Sequence, residues 1–296
     1  MHTEIFYFSG TGNSLWVAKT LSGCLSADLV SISSTIDQTM VHTASNTLCL
    51  VFPAYLAQRY GLPGIVEDFI RKIPTLNEKT VFAVCTCGGW ELVNALPTLK
   101  RLNRVLKNLG GNHLFGAYSV KLPMNNLSYP SPLINQDQGI MVRRAEEKTK
   151  AICDRILRAK PEPYKWLKSA FNLLMKPLYV SIQNLYVRHL RKMASITKPT
   201  KLGYFDLIRH SDRSIQFFED RCIGCSICAQ ICPAKNIQMV DGKPMWIHRC
   251  EMCLACDEWC PQKAIHHWCK TLGKDYHHPQ IDRTDMIEQA KPRKER

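Results

Sequence analysis

Eight cysteines fall in two copies of one spacing, and no other feature of the chain constrains its folding as strongly. Cys222, Cys225, Cys228 and Cys232 are followed by Pro233, and Cys250, Cys253, Cys256 and Cys260 by Pro261. Both read C-x2-C-x2-C-x3-C-P, the spacing of bacterial iron–sulfur ligands. Three thiolates two residues apart can wrap one face of a cubane, while the proline turns the fourth away toward the other copy's centre. The expected ligand sets are Cys222, Cys225, Cys228 and Cys260 for one [4Fe–4S] cluster, and Cys250, Cys253, Cys256 and Cys232 for the second. Structural zinc is the competing reading, but zinc sites pair two short Cys or His knuckles rather than quartets.

Composition sets the compartment. The chain has 296 residues and 14 cysteines, and its opening Met-His-Thr-Glu-Ile-Phe-Tyr-Phe lacks the pattern of a secretory signal. Thiolate ligands in a reducing compartment are therefore expected rather than disulfides, and the cytoplasm is the expected location. No run of 18 apolar residues suggests a membrane span. Length allows about two domains.

The segment 1–160 alternates apolar strands with helical patterns. Strands are expected at Ile5–Phe8, Leu29–Ile32, Thr47–Phe52, Val81–Cys85 and Leu114–Leu122. Helices are expected over 15–25, 61–73, 91–109 and 139–159, and five strands with five helices would complete the domain. Short apolar strands alternating with helices imply parallel βαβ units buried on both faces, hence a doubly wound five-stranded α/β sheet.

Between the first strand and first helix lies Ser9-Gly10-Thr11-Gly12-Asn13-Ser14. In an open α/β sheet this is where phosphates bind, against a helix N-terminus. Hydroxyls, an amide and glycines without a lysine suit one phosphomonoester, such as that of FMN; the same residues would also serve as a helix cap and turn. Pro53-Ala54-Tyr55-Leu56 and Thr86-Cys87-Gly88-Gly89-Trp90 should emerge at the same sheet edge, and each offers an aromatic ring and backbone amides to a flat isoalloxazine.

With these motifs in place, residues 1–160 resemble a flavodoxin domain, and the whole chain resembles the flavodoxin–ferredoxin fusion proteins of anaerobic bacteria and archaea. The resemblance covers 1–160 and 216–270. It implies that Ser9, Thr11, Gly12, Asn13 and Ser14 hold the FMN phosphate and that residues 53–56 and 86–90 flank the ring. Met124, Asn125 and Asn126 resemble a further short motif near the flavin. The architecture implied is a flavodoxin-like FMN domain (1–160), a basic helical connector (161–215), a small α+β two-[4Fe–4S] ferredoxin domain (216–270) and a charged tail (271–296).

Charge departs from acidic flavodoxins. The net charge is +14, and residues 143–213 hold 17 Lys/Arg against 6 Asp/Glu. Within that stretch, Tyr164, Leu167, Phe171 and Leu174, then Leu178, Ile182, Leu185, Tyr186 and His189, recur at helical spacing. The bland reading is a pair of helices packed between the domains. The alternatives are docking of an acidic redox partner and a weak peripheral membrane contact; no nucleic-acid recognition motif accompanies the charge. Outside the runs, Cys24, Cys49, Cys85 and Cys153 are expected as small core residues. Cys87 is a candidate for redox activity, and Cys269, after His266, His267 and Trp268, should follow a closing strand, with a third metal site as the alternative.

A flavin with two clusters implies an electron carrier between FMN, the [4Fe–4S] centres and redox partner proteins. A reductase of a small substrate at FMN, or a redox sensor, are the alternatives.

Overall fold

The computed structural model describes residues 2–55, 61–89, 91, 92, 94–124, 137–159, 174, 177, 180, 181, 184, 185, 187–195, 204–270 and 275–291. Five parallel strands form one sheet: β1 (Thr3–Tyr7), β2 (Asp28–Ser31), β3 (Thr47–Pro53), β4 (Thr80–Cys87) and β5 (Gly116–Lys121). Their order is β2-β1-β3-β4-β5, the doubly wound order of flavodoxin-like folds. The three central strands are continuous apolar runs because both of their faces are covered; Ile5, Phe6, Val51, Phe52, Ala83 and Val84 are fully buried. β5, at the edge, alternates buried and half-buried residues.

The covering helices are α1 (Asn13–Leu25), α2 (Gly64–Arg71), α3 (Ala95–Asn108) and α4 (Gln138–Leu157). α1 buries Leu15, Ala18 and Leu21, and Phe69 of α2 packs on Phe6 with ring centroids 4.7 Å apart. Four α-helices cover this sheet among the described residues, not five. After β2 the chain makes only a 3-10 turn, Ile32–Thr35, which Ser31 caps through its hydroxyl to the Ser33 amide. The segment 33–46 is rich in Ser and Thr and has no 3.6-residue apolar period.

The C-terminal third contains α5 (Tyr204–Arg209), β6 (Ile215–Phe217), α6 (Ile227–Ile231), β7 (Ile237–Val240), β8 (Lys243–Trp246), α7 (Ala255–Glu258), β9 (Ile265–His267) and α8 (Arg283–Ala290). β6 pairs with β9 and β7 with β8, both antiparallel. Asp241 and Gly242 close the β7–β8 hairpin, both with positive φ, as a tight two-residue turn requires. The doubled sequence gives doubled backbone: Gly224 and Met252, Ser226 and Leu254, and Lys235 and Lys263 all take positive φ at matching places in the two runs.

The two regions share one apolar core. Ile231, Cys253, Ala255, Trp259, Ile281 and Met286 belong to the same cluster of buried side chains as the sheet residues. Ser33 donates to the Pro233 carbonyl (2.6 Å) and Arg209 pairs with Asp68 (2.6 Å), joining them at a further edge.

Much of the connector lies outside the described residues, including Tyr164, Leu167, Phe171, Leu178, Ile182 and Tyr186. Residues 187–193 are helical, and Leu190 and Ala194 pack on Leu207, Met252 and Leu254. Leu174 and Leu185, expected on packed faces, are instead exposed. Part of the charged tail is ordered, and residues 292–296 lie outside the described residues. Residues 275–291 are folded against the sheet domain, and α8 opens with a capping box between Asp282 and Asp285. No helix among the described residues is long and apolar enough to cross a membrane.

Candidate cluster and cofactor sites

Cys222, Cys225, Cys228 and Cys260 line one cavity, whose walls are completed by Phe217, Ile223, Met239 and Ile265. The left-handed residues Gly224 and Ser226 curl the run so that its thiols face one space. Cys225 is exposed, Cys222 and Cys228 are half-buried and Cys260 is buried. Burial pushes the Cys228 thiol up to about 12, and the adjacent Cys260, Cys225 and Cys222 add to this against an amide from Ala229. Such a thiol is a poor anion by itself, and a bound cation is what would hold it as thiolate.

The second run mirrors the first. Burial, then the nearby Cys232 and Cys250, pushes the Cys253 and Cys256 thiols well up. Burial also raises Cys250, which has Cys232 beside it and reaches about 12. Cys232 is thus grouped with the second run and Cys260 with the first. The amides of Asn236 and Ala264 donate to the Cys232 and Cys260 sulfurs, both at 3.3 Å, and the Met252 amide donates to Cys250 at 3.3 Å. N–H···S bonds of this kind stabilise thiolate charge and raise a cluster's potential. Thiols ringing a lined cavity, as Cys222, Cys225, Cys228 and Cys260 do, with donors on the sulfurs, fit a cubane. Among the described residues no three His, Cys, Asp or Glu side chains converge on a single ion-sized point.

The loop 9–14 leads into α1 as expected. Gly12 takes φ 94° as the N-cap, and no side chain caps the helix. Its first amides therefore lack the intrahelical and side-chain acceptors that would otherwise satisfy them. The side chains differ from the expected set. The Ser9 hydroxyl accepts from the Gly12 amide (3.2 Å), and Ser14 shares a hydrogen bond with Thr86 (2.8 Å). Asn13 donates to the Pro123 carbonyl (2.9 Å) and accepts from the Tyr276 hydroxyl (2.8 Å). Among the described residues the Thr11 hydroxyl makes no hydrogen bond, so the loop offers Thr11 and backbone amides while Ser9, Asn13 and Ser14 brace it. An uncapped helix start beside two glycines fits a phosphomonoester.

The ring loops lie beside it. The Ala54 amide donates to the Thr86 carbonyl (2.8 Å), tying residues 53–55 to 86–89. Tyr55 sits edge-on to Phe8 at 6.1 Å. Burial, with Cys253, Glu251 and Cys250 nearby, pushes its phenol well up. Tyr55 thus lies on the side of its loop nearest the second cysteine set. A β-carbon on Gly88 would collide with Met124, and one on Gly89 with Asn94. Leu56, Trp90, Asn125 and Asn126 lie outside the described residues.

Cys49 and Cys85 are fully buried, as expected of core residues. Cys24 is not: it is exposed on α1 and forms a disulfide with the buried Cys153 of α4, contrary to the expectation of free thiols outside the runs. Burial pushes Cys87 up to about 12, which removes the thiolate that redox activity would need. Cys269 follows β9, buried, with its sulfur 3.3 Å from His267 Nδ1.

The sequence reading missed a second set of residues around the loop. Trp259 Nε1 donates to the Gly10 carbonyl (3.1 Å), the His278 amide to Thr11 (3.0 Å) and Gln289 Nε2 to Ser9 (2.9 Å). The His278 ring stacks on Trp16 at 4.6 Å and that of His277 on Trp259 at 3.9 Å. Below them Lys270, 4% exposed, is enclosed by Asp257 (2.8 Å), Glu258 (3.0 Å) and Asp275 (2.5 Å), as a buried ammonium must be. The capping box at Asp282 was the one local signal in this segment.

Residues 215–238 match the family described as 4Fe-4S binding domain. An uncharacterized polyferredoxin-like protein of Methanocaldococcus jannaschii is 35% identical over 61 residues, covering 16% of this chain and 36% of that protein. The chain thus spans about a third of the length of the curated relative it matches. Two flavodoxin structures are similar at low level. That of Megasphaera elsdenii has 19% identity and a TM-score of 0.33, covering 50% of this chain and 98% of its own. That of Streptococcus pneumoniae has 15% identity and a TM-score of 0.33, covering 52% and 99%. The fold assignment rests on strand order instead. In architecture the chain is a fusion of a flavodoxin-like α/β domain with a ferredoxin-type 4Fe-4S module.

Proposed function

We propose that this chain is an electron-transfer flavo-iron–sulfur protein. Cys222, Cys225, Cys228 and Cys260 would hold one [4Fe–4S] cluster, and Cys250, Cys253, Cys256 and Cys232 the other. The loop 9–14, with Pro53–Tyr55 and Thr86–Gly89, would hold FMN. Cubanes exchange electrons singly and a flavin takes one or two, so these groups would supply conversion between single and paired electrons.

The observation that carries this reading is the seating of Cys253 on the phosphate loop, within one continuous core. A second cysteine set so placed can exchange electrons with a group on that loop without an encounter between molecules. The first set faces outward, with Cys225 exposed beside the exposed Ile223, and suits contact with an external redox protein. The basic stretch favours an acidic partner.

Anaerobically purified protein should contain about eight iron, about eight sulfide and one FMN per chain. About four iron with zinc in compensation would remove the two-cluster reading, and FAD or no flavin would remove the FMN site.

A further inference from the structure

The loop 9–14 is held by the wrong end of the chain for an autonomous flavodoxin. Three successive carbonyls, those of Ser9, Gly10 and Thr11, accept hydrogen bonds from Gln289 (2.9 Å), Trp259 (3.1 Å) and the His278 amide (3.0 Å). All three donors come from the C-terminal third, more than 240 positions away. A trans peptide is planar and its C=O and N–H point in opposite directions. Fixing those three carbonyls toward the C-terminal third therefore aims the amides of Gly10, Thr11 and Gly12 away from it. The Gly12 amide turns back on the Ser9 hydroxyl, bracing the bend. Donation to a carbonyl also polarises the same peptide's N–H, making it a better donor to an anion.

The rest of the contact is shaped to the same end. Gly10 and Gly12 have no side chains, so Cys253 closes on one while Ile281 and His278 close on the other. Gln289 is 1% exposed, so its amide group is committed to this position. Tyr276 fixes Asn13 from the same segment (2.8 Å).

We infer that the C-terminal third, through Trp259 of the ferredoxin-type module and His278 and Gln289 of the segment that follows it, orients the phosphate cradle of the α/β domain. The ligand class is a phosphomonoester, and these are positioning residues rather than direct contacts. The inference rests on the FMN reading above and adds to it that FMN affinity is set from the cluster side. Linkage then requires the converse, that a phosphate in the loop tightens the docking of 275–290.

The test compares FMN with riboflavin, which lacks the phosphate. Full-length protein with its clusters intact is depleted of flavin and titrated anaerobically with each, following flavin fluorescence. Gln289→Leu and Trp259→Phe, each removing one donor, should weaken FMN several-fold, and together about tenfold or more, given the usual worth of a hydrogen bond. Riboflavin affinity should be unchanged within about twofold, because the ring loops are untouched. Equal weakening of both flavins would mean a merely structural role and would overturn the inference, as would FMN binding unaffected in either variant. Wild-type protein with no preference for FMN over riboflavin would defeat the FMN reading first, and this inference with it. Trp259 neighbours Cys260, so iron content is measured in each variant; Gln289→Leu, remote from both cysteine runs in sequence, decides the matter if Trp259→Phe loses iron.

Discussion

The carbonyl oxygen of Cys253 lies against the α-carbon of Gly10, so close that a β-carbon there would collide with it. The second cysteine run and the loop 9–14 thus meet backbone to backbone.

Gly10→Ala should therefore separate the modules locally. Overpacking of this kind costs about 1–3 kcal/mol, because neither backbone can yield cheaply. Gly23, within α1, is the control: a β-carbon there meets nothing within 4 Å. Gly23→Ala should stabilise by about 0.5–1 kcal/mol. Denaturant titration of both variants checks the pair.

Crossing of the fourth cysteine predicts which centre a substitution damages. Cys232→Ala should disable the centre of the second run, although Cys232 lies in the first, and leave about four iron per chain. Cys260→Ala should do the reverse. The paramagnetic signals of the reduced variants distinguish the exposed from the enclosed centre, and damage to the run that carries each substitution would contradict the crossing.

Acid should loosen the segment over the loop. Burial against Trp16 pushes His278 down to about 4 from an ordinary value of 6.5. A histidine depressed in the folded state binds fewer protons there than when unfolded. Its contribution is complete above pH 6.5 and is lost as pH falls from 6.5 toward 4, on the order of 3 kcal/mol across that window. His278→Gln should flatten this part of the stability–pH profile measured by denaturation. A profile identical to wild type would show that His278 is not the titrating group.

The sheet domain was legible because its central strands are buried on both faces, and Leu48–Phe52 and Val81–Cys85 admit little other reading. The cysteine runs were legible because ligand spacing is local. Trp259, His278 and Gln289 were not, since what they bind is main-chain carbonyl, which leaves no pattern in either partner's side chains. Cys24 misled for a geometric reason: its helix neighbour Leu21 is buried, yet Cys24 itself is exposed and joined to Cys153 of α4. Leu185 followed a helical spacing that marks a face without saying what covers it.

As proposed, the two modules form one electron path within a chain. Rapid mixing of the anaerobic protein with a low-potential one-electron donor, followed at flavin and cluster wavelengths over a wide range of protein concentration, tests it most directly. A flavin reduction phase should follow cluster reduction at a rate independent of protein concentration, because the contact at Gly10 and Cys253 is already made. Gly10→Ala should slow that phase while leaving iron content unchanged. A flavin phase whose rate rises in proportion to protein concentration would rule out an internal path, since electrons would then be crossing between chains.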